Sequence, residues 1–172
     1  SSAIETETFS IDNLSYFKSN EQGFICQLNS FVFELPLIGS FNLSNAMAAY
    51  KSVKSLGYDD DTLIPKLAEL SPPPGRMQKL AKKNIWIDYA HTPDALLNAV
   101  ITLQDHYPDY RIRLVFGCGG DRDKTKRQIM GKIASENAHS IVITNDNPRS
   151  EEPGKIIDDI LDGIKVENDF KK

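Results

Sequence analysis

Three short loops hold the side chains of this chain that are best suited to chemistry. The first reads Asp88-Tyr89-Ala90-His91-Thr92-Pro93-Asp94. A carboxylate closes a strand, and Thr92 and Pro93 open a helix whose first-turn amides can bind an anion. Asp88 can accept from a ribose hydroxyl, and His91 can sit beside a phosphate or nucleobase. The plainer alternative is that Thr92 and Asp94 cap the helix and His91 is a polar loop residue. The second loop, Gly117-Cys118-Gly119-Gly120-Asp121-Arg122-Asp123-Lys124-Thr125-Lys126-Arg127, puts glycines after a strand, where backbone amides can approach a ligand, and then basic side chains. It is neither a Walker loop nor a G-x-G-x-x-G fingerprint, so it is an anion-binding loop or a solvated turn. Cys118 has no clear base beside it and reads as a packed thiol. The third loop is Asp146-Asn147-Pro148-Arg149-Ser150-Glu151-Glu152-Pro153. Arg149 offers a planar fork for a carboxylate and Asp146 a partner for an ammonium, which together suit the zwitterionic end of an amino acid. The alternative is an internal Asp146–Arg149 pair that holds the loop. No metal site is expected. His91, His106 and His139 are isolated, with no C-x-x-C or H-x-x-x-H spacing, so any metal would be Mg²⁺ carried by nucleotide phosphates.

All three loops follow expected strands. Strands are expected at Ile85–Tyr89, Arg111–Gly117 and Ser140–Thr144. Helices follow from Pro93 to about His106, from about Lys124 to Asn137, and on to Ile164 with Ile156, Ile157, Ile160, Leu161 and Ile164 on one face. Three βα units in a row imply a parallel sheet, whose ligands bind beyond the carboxyl ends of the strands. Before them the pattern differs. Short strands are expected at Thr8–Ile11, Ser15–Lys18, Phe24–Leu28 and Phe31–Leu35. Helices follow at Asn42–Leu56 and about Asp61–Leu70, where Pro65 fits only a first turn. Ser71-Pro72-Pro73-Pro74-Gly75 separates the two halves.

The fold class expected is therefore α/β. A Rossmann-like domain of parallel βα units over 78–172 follows a unit of short strands and two helices over 1–71, with a junction at 72–77. The composition supports a globular core: 40% of residues are apolar and 26% charged, which excludes a wholly disordered chain. No apolar run approaches the roughly 18 residues of a membrane span, and Ser1–Ser10 has no basic signal-peptide region. Two cysteines make no disulfide scaffold, and a cytoplasmic location is expected. Residues 1–75 carry 4 basic and 9 acidic groups, whereas residues 111–132 carry seven basic groups against Asp121 and Asp123. That local excess suits a small anion and is too short and mixed for a nucleic-acid surface.

Together and in this order, Asp-Tyr-Ala-His-Thr-Pro-Asp, Gly-Cys-Gly-Gly-Asp-Arg-Asp and Asp-Asn-Pro-Arg closely resemble the bacterial Mur ligase family. Upstream, Gly39-Ser40-Phe41-Asn42-Leu43-Ser44-Asn45-Ala46 is similar to the family's G-x-x-N-x-x-N-A helix, and Pro74-Gly75-Arg76-Met77 to its domain junction. The resemblance implies an ATP- and Mg²⁺-dependent ligase of peptidoglycan synthesis, in the branch that adds meso-2,6-diaminopimelate to UDP-N-acetylmuramoyl-L-alanyl-D-glutamate, with 1–71 as a partial central ATP-binding domain and 78–172 as the C-terminal ligase domain. ATP activates the stem carboxylate as an acyl phosphate, which the incoming amine attacks. By the same resemblance, Asn42, Asn45, Arg76, Asp88 and His91 face the nucleotide. Arg122 and the segment Asp146, Asn147, Pro148 and Arg149 face diaminopimelate. No catalytic residue is assigned. Diaminopimelate differs from lysine by one carboxylate, which Arg149 can read, and a charged hydrogen bond is worth roughly 1.5–3 kcal/mol.

The family's Walker loop, carbamylated lysine, UDP-binding domain and G-x-G-H-E segment are not in this sequence. The stretch is therefore expected to be truncated at both ends, to depend on the absent N-terminal and central domains, and to show no turnover alone. The main alternative is a non-catalytic βα module that binds an amino acid or nucleotide. Another Mur ligase or a folate-tail ligase fits less well, because the resemblance places Asp-Asn-Pro-Arg in the diaminopimelate branch.

Overall fold

A computed structural model describes residues 8–164. The readings of the extreme N-terminus and of the end at Lys172 fall mainly outside these residues. The chain forms two compact units: one holds the chain up to Asp88 together with Asp105–Tyr107, and the other holds Tyr89–Gln104 and the chain from Pro108 onward.

In the first unit, residues Thr8–Ile11 are not a strand. Ser10 starts a capping box around a 3₁₀ turn, Ile11–Asn13. An antiparallel meander follows: β1 (Tyr16–Asn20), β2 (Gly23–Leu28) and β3 (Phe31–Leu35), with Phe17 opposite Cys26 and Cys26 opposite Phe33. Phe33 and Leu35 are buried while Val32 and Glu34 are exposed, as the alternation of apolar residues predicts. Against this sheet lie α1 (Ser40–Lys54) and α2 (Asp60–Leu67). Leu43, Ala46, Met47 and Tyr50 of α1 form one buried stripe, joined by Phe24, Cys26, Leu28, Ile64 and Leu67. Burial pushes the Cys26 thiol up to about 11, so it packs as a small apolar side chain. Pro65 stands in the second turn of α2 rather than the first. Asp59 caps that helix by accepting from the Thr62 amide at 2.9 Å, and the helix ends two residues after the proline, which limits the cost of its missing N–H.

The strand expected at Ile85–Tyr89 is reduced to β5 (Trp86–Ile87). It pairs antiparallel with β4 (Gln78–Lys79) and does not join a parallel sheet with the later strands. Side-chain packing accounts for this. Trp86 lies 4.7 Å from the Tyr107 ring, and the Lys79 ammonium stands 5.0 Å and 5.1 Å from the two ring centres.

The second unit contains α3 (Pro93–His106) as far as Gln104, β6 (Arg113–Phe116), α4 (Thr125–Asn137), β7 (Ser140–Ile143) and α5 (Pro153–Leu161). β6 and β7 run parallel, with Phe116 opposite Ile143. This is the βα architecture expected, realised as a parallel pair. Leu96, Phe116, Cys118, Met130, Ala134, Ile156 and Ile160 form its core. Helices α4 and α5 cross closely because Gly131 faces the Ile160 carbonyl with no room for a Cβ. Among the described residues, no helix is long and apolar enough to cross a membrane.

Candidate functional site

The glycine loop leaves β6 and the Asp-Asn-Pro-Arg loop leaves β7. Because these strands are neighbours, the two loops lie side by side. The Thr144 amide donates to the Phe116 carbonyl at 3.0 Å, and the Gly120 amide donates to the Asn147 carbonyl at 2.9 Å. Gly117 and Gly120 are packed backbone to backbone against Thr144 and Pro148, and a side chain at either position would collide. Gly119 is different. A Cβ there would stand 3.1 Å from Arg149 Nη1 and 3.6 Å from Asp146 Oδ2, so these two side chains lie over the one bare glycine. Arg149 also donates through Nη1 to the Gly120 carbonyl. No ion pair joins Asp146 to Arg149 among the described residues, so the internal pair is not what holds this loop.

Asp121 holds it instead. Its carboxylate accepts from the Ser150 amide at 3.1 Å and the Ser150 hydroxyl at 2.7 Å, and its own amide donates to Glu151 Oε1 at 2.6 Å. The Ser150 bonds hold the Asp121 carboxyl below the usual range. Asp123 accepts from the Thr125 amide and hydroxyl at the start of α4. Arg122, between these two anchored aspartates, is exposed. The structure thus brings Arg122 and the segment 146–149 to the carboxyl ends of two adjacent strands.

One reading of the basic cluster needs correction. Arg127, counted with the groups that would attract an anion, is fully buried at 0% exposure. Its Nη1 donates to Glu151 Oε2 at 3.0 Å and to Asp159 Oδ2 at 2.8 Å, and its Nη2 donates to Glu151 Oε1 at 2.8 Å. Lys124 pairs with the same Glu151 at 3.0 Å. Arg127 and Lys124 are therefore neutralised by Glu151 and Asp159, and Lys132 stands 3.9 Å from Glu136 on the surface of α4. The Arg127 guanidinium, the Asp121 amide and Lys124 hold the Glu151 carboxyl at about 2, well below its ordinary 4.5. The sequence carried a signal for this burial: Arg127 shares the spacing of Met130, Gly131 and Ala134, the other buried residues of α4. Nothing local announced Glu151 as its partner.

In the same unit, His91 is exposed. Its Nδ1 lies 3.1 Å from the Tyr89 carbonyl, its ring meets Tyr89 edge-on, and its carbonyl accepts from Lys126 Nζ at 2.7 Å. Thr92 caps α3 by accepting from the Ala95 amide at 3.2 Å, so the capping role is real. Cys118 is buried with its Sγ 3.7 Å from Met130 Sδ, and burial raises its pKa; it packs, as expected.

The other nucleotide-side candidates belong to the first unit. Asn42 and Asn45 lie one turn apart on α1. Asn42 is half-buried and donates to the Ile38 carbonyl at 2.9 Å, and Asn45 is exposed. Arg76 is exposed in the turn before β4, next to Met77, whose amide donates to Asp88 Oδ2 at 2.9 Å. Sequence reasoning missed His106. It is buried, accepts from the Gly39 amide at 3.0 Å through Nε2, and lies 2.6 Å from the Asn20 carbonyl through Nδ1. It thereby fixes Gly39, whose φ of 92° starts α1, ahead of both asparagines.

Comparison with known proteins bears on the family and the fold. A family model described as "Mur ligase, glutamate ligase domain" matches residues 75–172. UDP-N-acetylmuramoyl-L-alanyl-D-glutamate–2,6-diaminopimelate ligase of Rickettsia felis is 42% identical over 86% of this chain, which spans 28% of that relative's length. A solved structure of a ligase of the same name is 36% identical over 90% of this chain and 33% of its own, with a TM-score of 0.62. At 23% identity, a Mycobacterium tuberculosis folylpolyglutamate synthase complexed with ADP shares the fold, with a TM-score of 0.69 over 87% of this chain and 35% of its own. Since the family match covers more than half of its residues, the chain belongs to the Mur ligase family.

Proposed function

We propose that this chain is part of an ATP-dependent ligase of peptidoglycan precursor synthesis that joins meso-2,6-diaminopimelate to UDP-N-acetylmuramoyl-L-alanyl-D-glutamate through an acyl phosphate. In this reading, residues 1–71 belong to the ATP-binding domain, 72–77 to the junction, and 78–172 to the domain that receives the amino acid. The carrying observation is Arg149 and Asp146 standing together over Gly119, at the ends of two parallel strands. A guanidinium and a carboxylate on one small floor match the carboxylate and ammonium of an amino-acid end. Arg122, exposed in the neighbouring glycine loop, supplies a second cation for the other carboxylate.

The nucleotide fits the residues present. Asp88 spends Oδ2 on the Met77 amide, and Oδ1 has no hydrogen-bond partner among the described residues, which leaves it for a ribose hydroxyl. In the first unit, Asn42 and Asn45 carry amide groups suited to a base and Arg76 a guanidinium suited to phosphate; in the second unit, His91 carries an exposed imidazole suited to the same ligand. ATP supplies the phosphoryl group that activates the acceptor carboxylate. Mg²⁺ would be held through the oxygens of the nucleotide phosphates, the ligands that suit this cation. The chain's own contribution is to hold the amine-bearing substrate by both ends. The test is amino-acid-dependent ADP release by the full-length ligase carrying these residues. Diaminopimelate should drive it and lysine should not; equal use of both overturns the reading.

A further inference from the structure

The bonds around Glu151 point to a role beyond stability. Arg127 already has a carboxylate partner in Asp159 at 2.8 Å. Glu151 adds a second, and reaches the glycine loop as well, by accepting from the Asp121 amide at 2.6 Å. Arg127 Nη2 approaches the Gly119 carbonyl at 3.4 Å. The Asp121 carboxylate returns to Ser150, and Arg149 returns to the Gly120 carbonyl. A closed ring of bonds therefore joins 119–121 to 149–151. Both Asp121 and Arg149 sit in the left-handed region, with φ of 51° and 50°. Non-glycine residues seldom adopt that conformation unless their surroundings hold them in it.

We propose that Glu151 and the buried Arg127 are positioning residues that fix Arg122 and Arg149 in the geometry that reads the incoming amino acid. Neither touches substrate. Arg122 follows Asp121 directly, and Arg149 lies two residues before Glu151, so both depend on the ring for their backbone direction. The proposal rests on the reading of this site as the diaminopimelate site.

Kinetics of the full-length ligase test it. Glu151→Gln keeps the side-chain size and an oxygen for the Asp121 amide but removes the charge that grips Arg127. Its KM for diaminopimelate should rise about tenfold or more, with the KM values for ATP and the UDP-linked substrate unchanged and discrimination against lysine narrowed. Ser150→Ala, a gentler change that loses only the hydroxyl bond to Asp121, should raise the same KM by a factor of about three to ten. A merely structural ring would shift every KM together, or none, whatever it does to the melting temperature; either KM result in folded Glu151→Gln overturns the proposal. Should that variant fail to fold, an unchanged diaminopimelate KM in Ser150→Ala overturns it. If the unsubstituted enzyme does not use diaminopimelate, the site reading fails and this proposal with it. If it does and both variants keep its KM, the positioning role alone fails.

Discussion

Gly120 and Pro148 meet backbone to backbone, with the glycine's Cα turned onto the proline carbonyl so closely that no side chain fits between them. This contact, with the Gly120–Asn147 hydrogen bond at 2.9 Å, sets the distance between the loop after β6 and the loop after β7. Gly120 has no positive φ; the requirement is space alone.

Gly120→Ala should therefore destabilise the second unit by roughly 1–3 kcal/mol, the usual cost of forcing atoms into a packed site. Denaturant unfolding would show it as a lowered midpoint with little change in slope. A midpoint equal to that of the unsubstituted protein would mean that the loops are not clamped there.

Removing the Arg149 fork tests substrate selection. In the full-length ligase, Arg149→Ala should lower kcat/KM for diaminopimelate by roughly ten- to hundredfold, the worth of a charged hydrogen bond, while the low activity with lysine changes little. The ratio of the two is the measurement. A variant that keeps its preference places the selecting group elsewhere.

Acid should loosen the second unit through Glu151. Its carboxyl is held at about 2 when folded against an ordinary 4.5, so the folded state favours the ionised form. That stabilisation is fully present above about 4.5 and is lost as pH falls toward about 2. Thermal unfolding followed across this range should show a falling midpoint whose slope is shallower in Glu151→Gln. Identical slopes in the two proteins would remove Glu151 from the acid response.

Both thiols should resist alkylation in the folded chain. Cys26 is pushed up to about 11 and Cys118 is raised by burial, so little thiolate forms near neutral pH. Iodoacetamide at pH 8 should modify neither until denaturant is added, as mass spectrometry would record. Rapid labelling of native Cys118 would show that the glycine loop opens.

What the sequence determined alone is what depends on near neighbours. Phe31–Leu35 alternates and is a strand over those same residues. Thr92 and Pro93 start α3, and His106 ends it. The three loop motifs and their place after strands were also legible, because glycine, proline and capping residues act within a few positions. The tertiary structure decided what depends on partners distant in sequence. Arg127 is a basic residue in a basic run until Glu151 and Asp159, 24 and 32 residues away, take its charge. His106 is an isolated histidine until Gly39, 67 residues before it, donates to its ring. Trp86–Ile87 reads as the first strand of a parallel sheet until β4, with Lys79 stacked on Trp86 and Tyr107, claims it as an antiparallel partner. Periodicity and capping are written into consecutive residues. Whether a charge is solvated or neutralised, and which strand edge is taken, depends on which groups the folded chain brings within about 3 Å of one another.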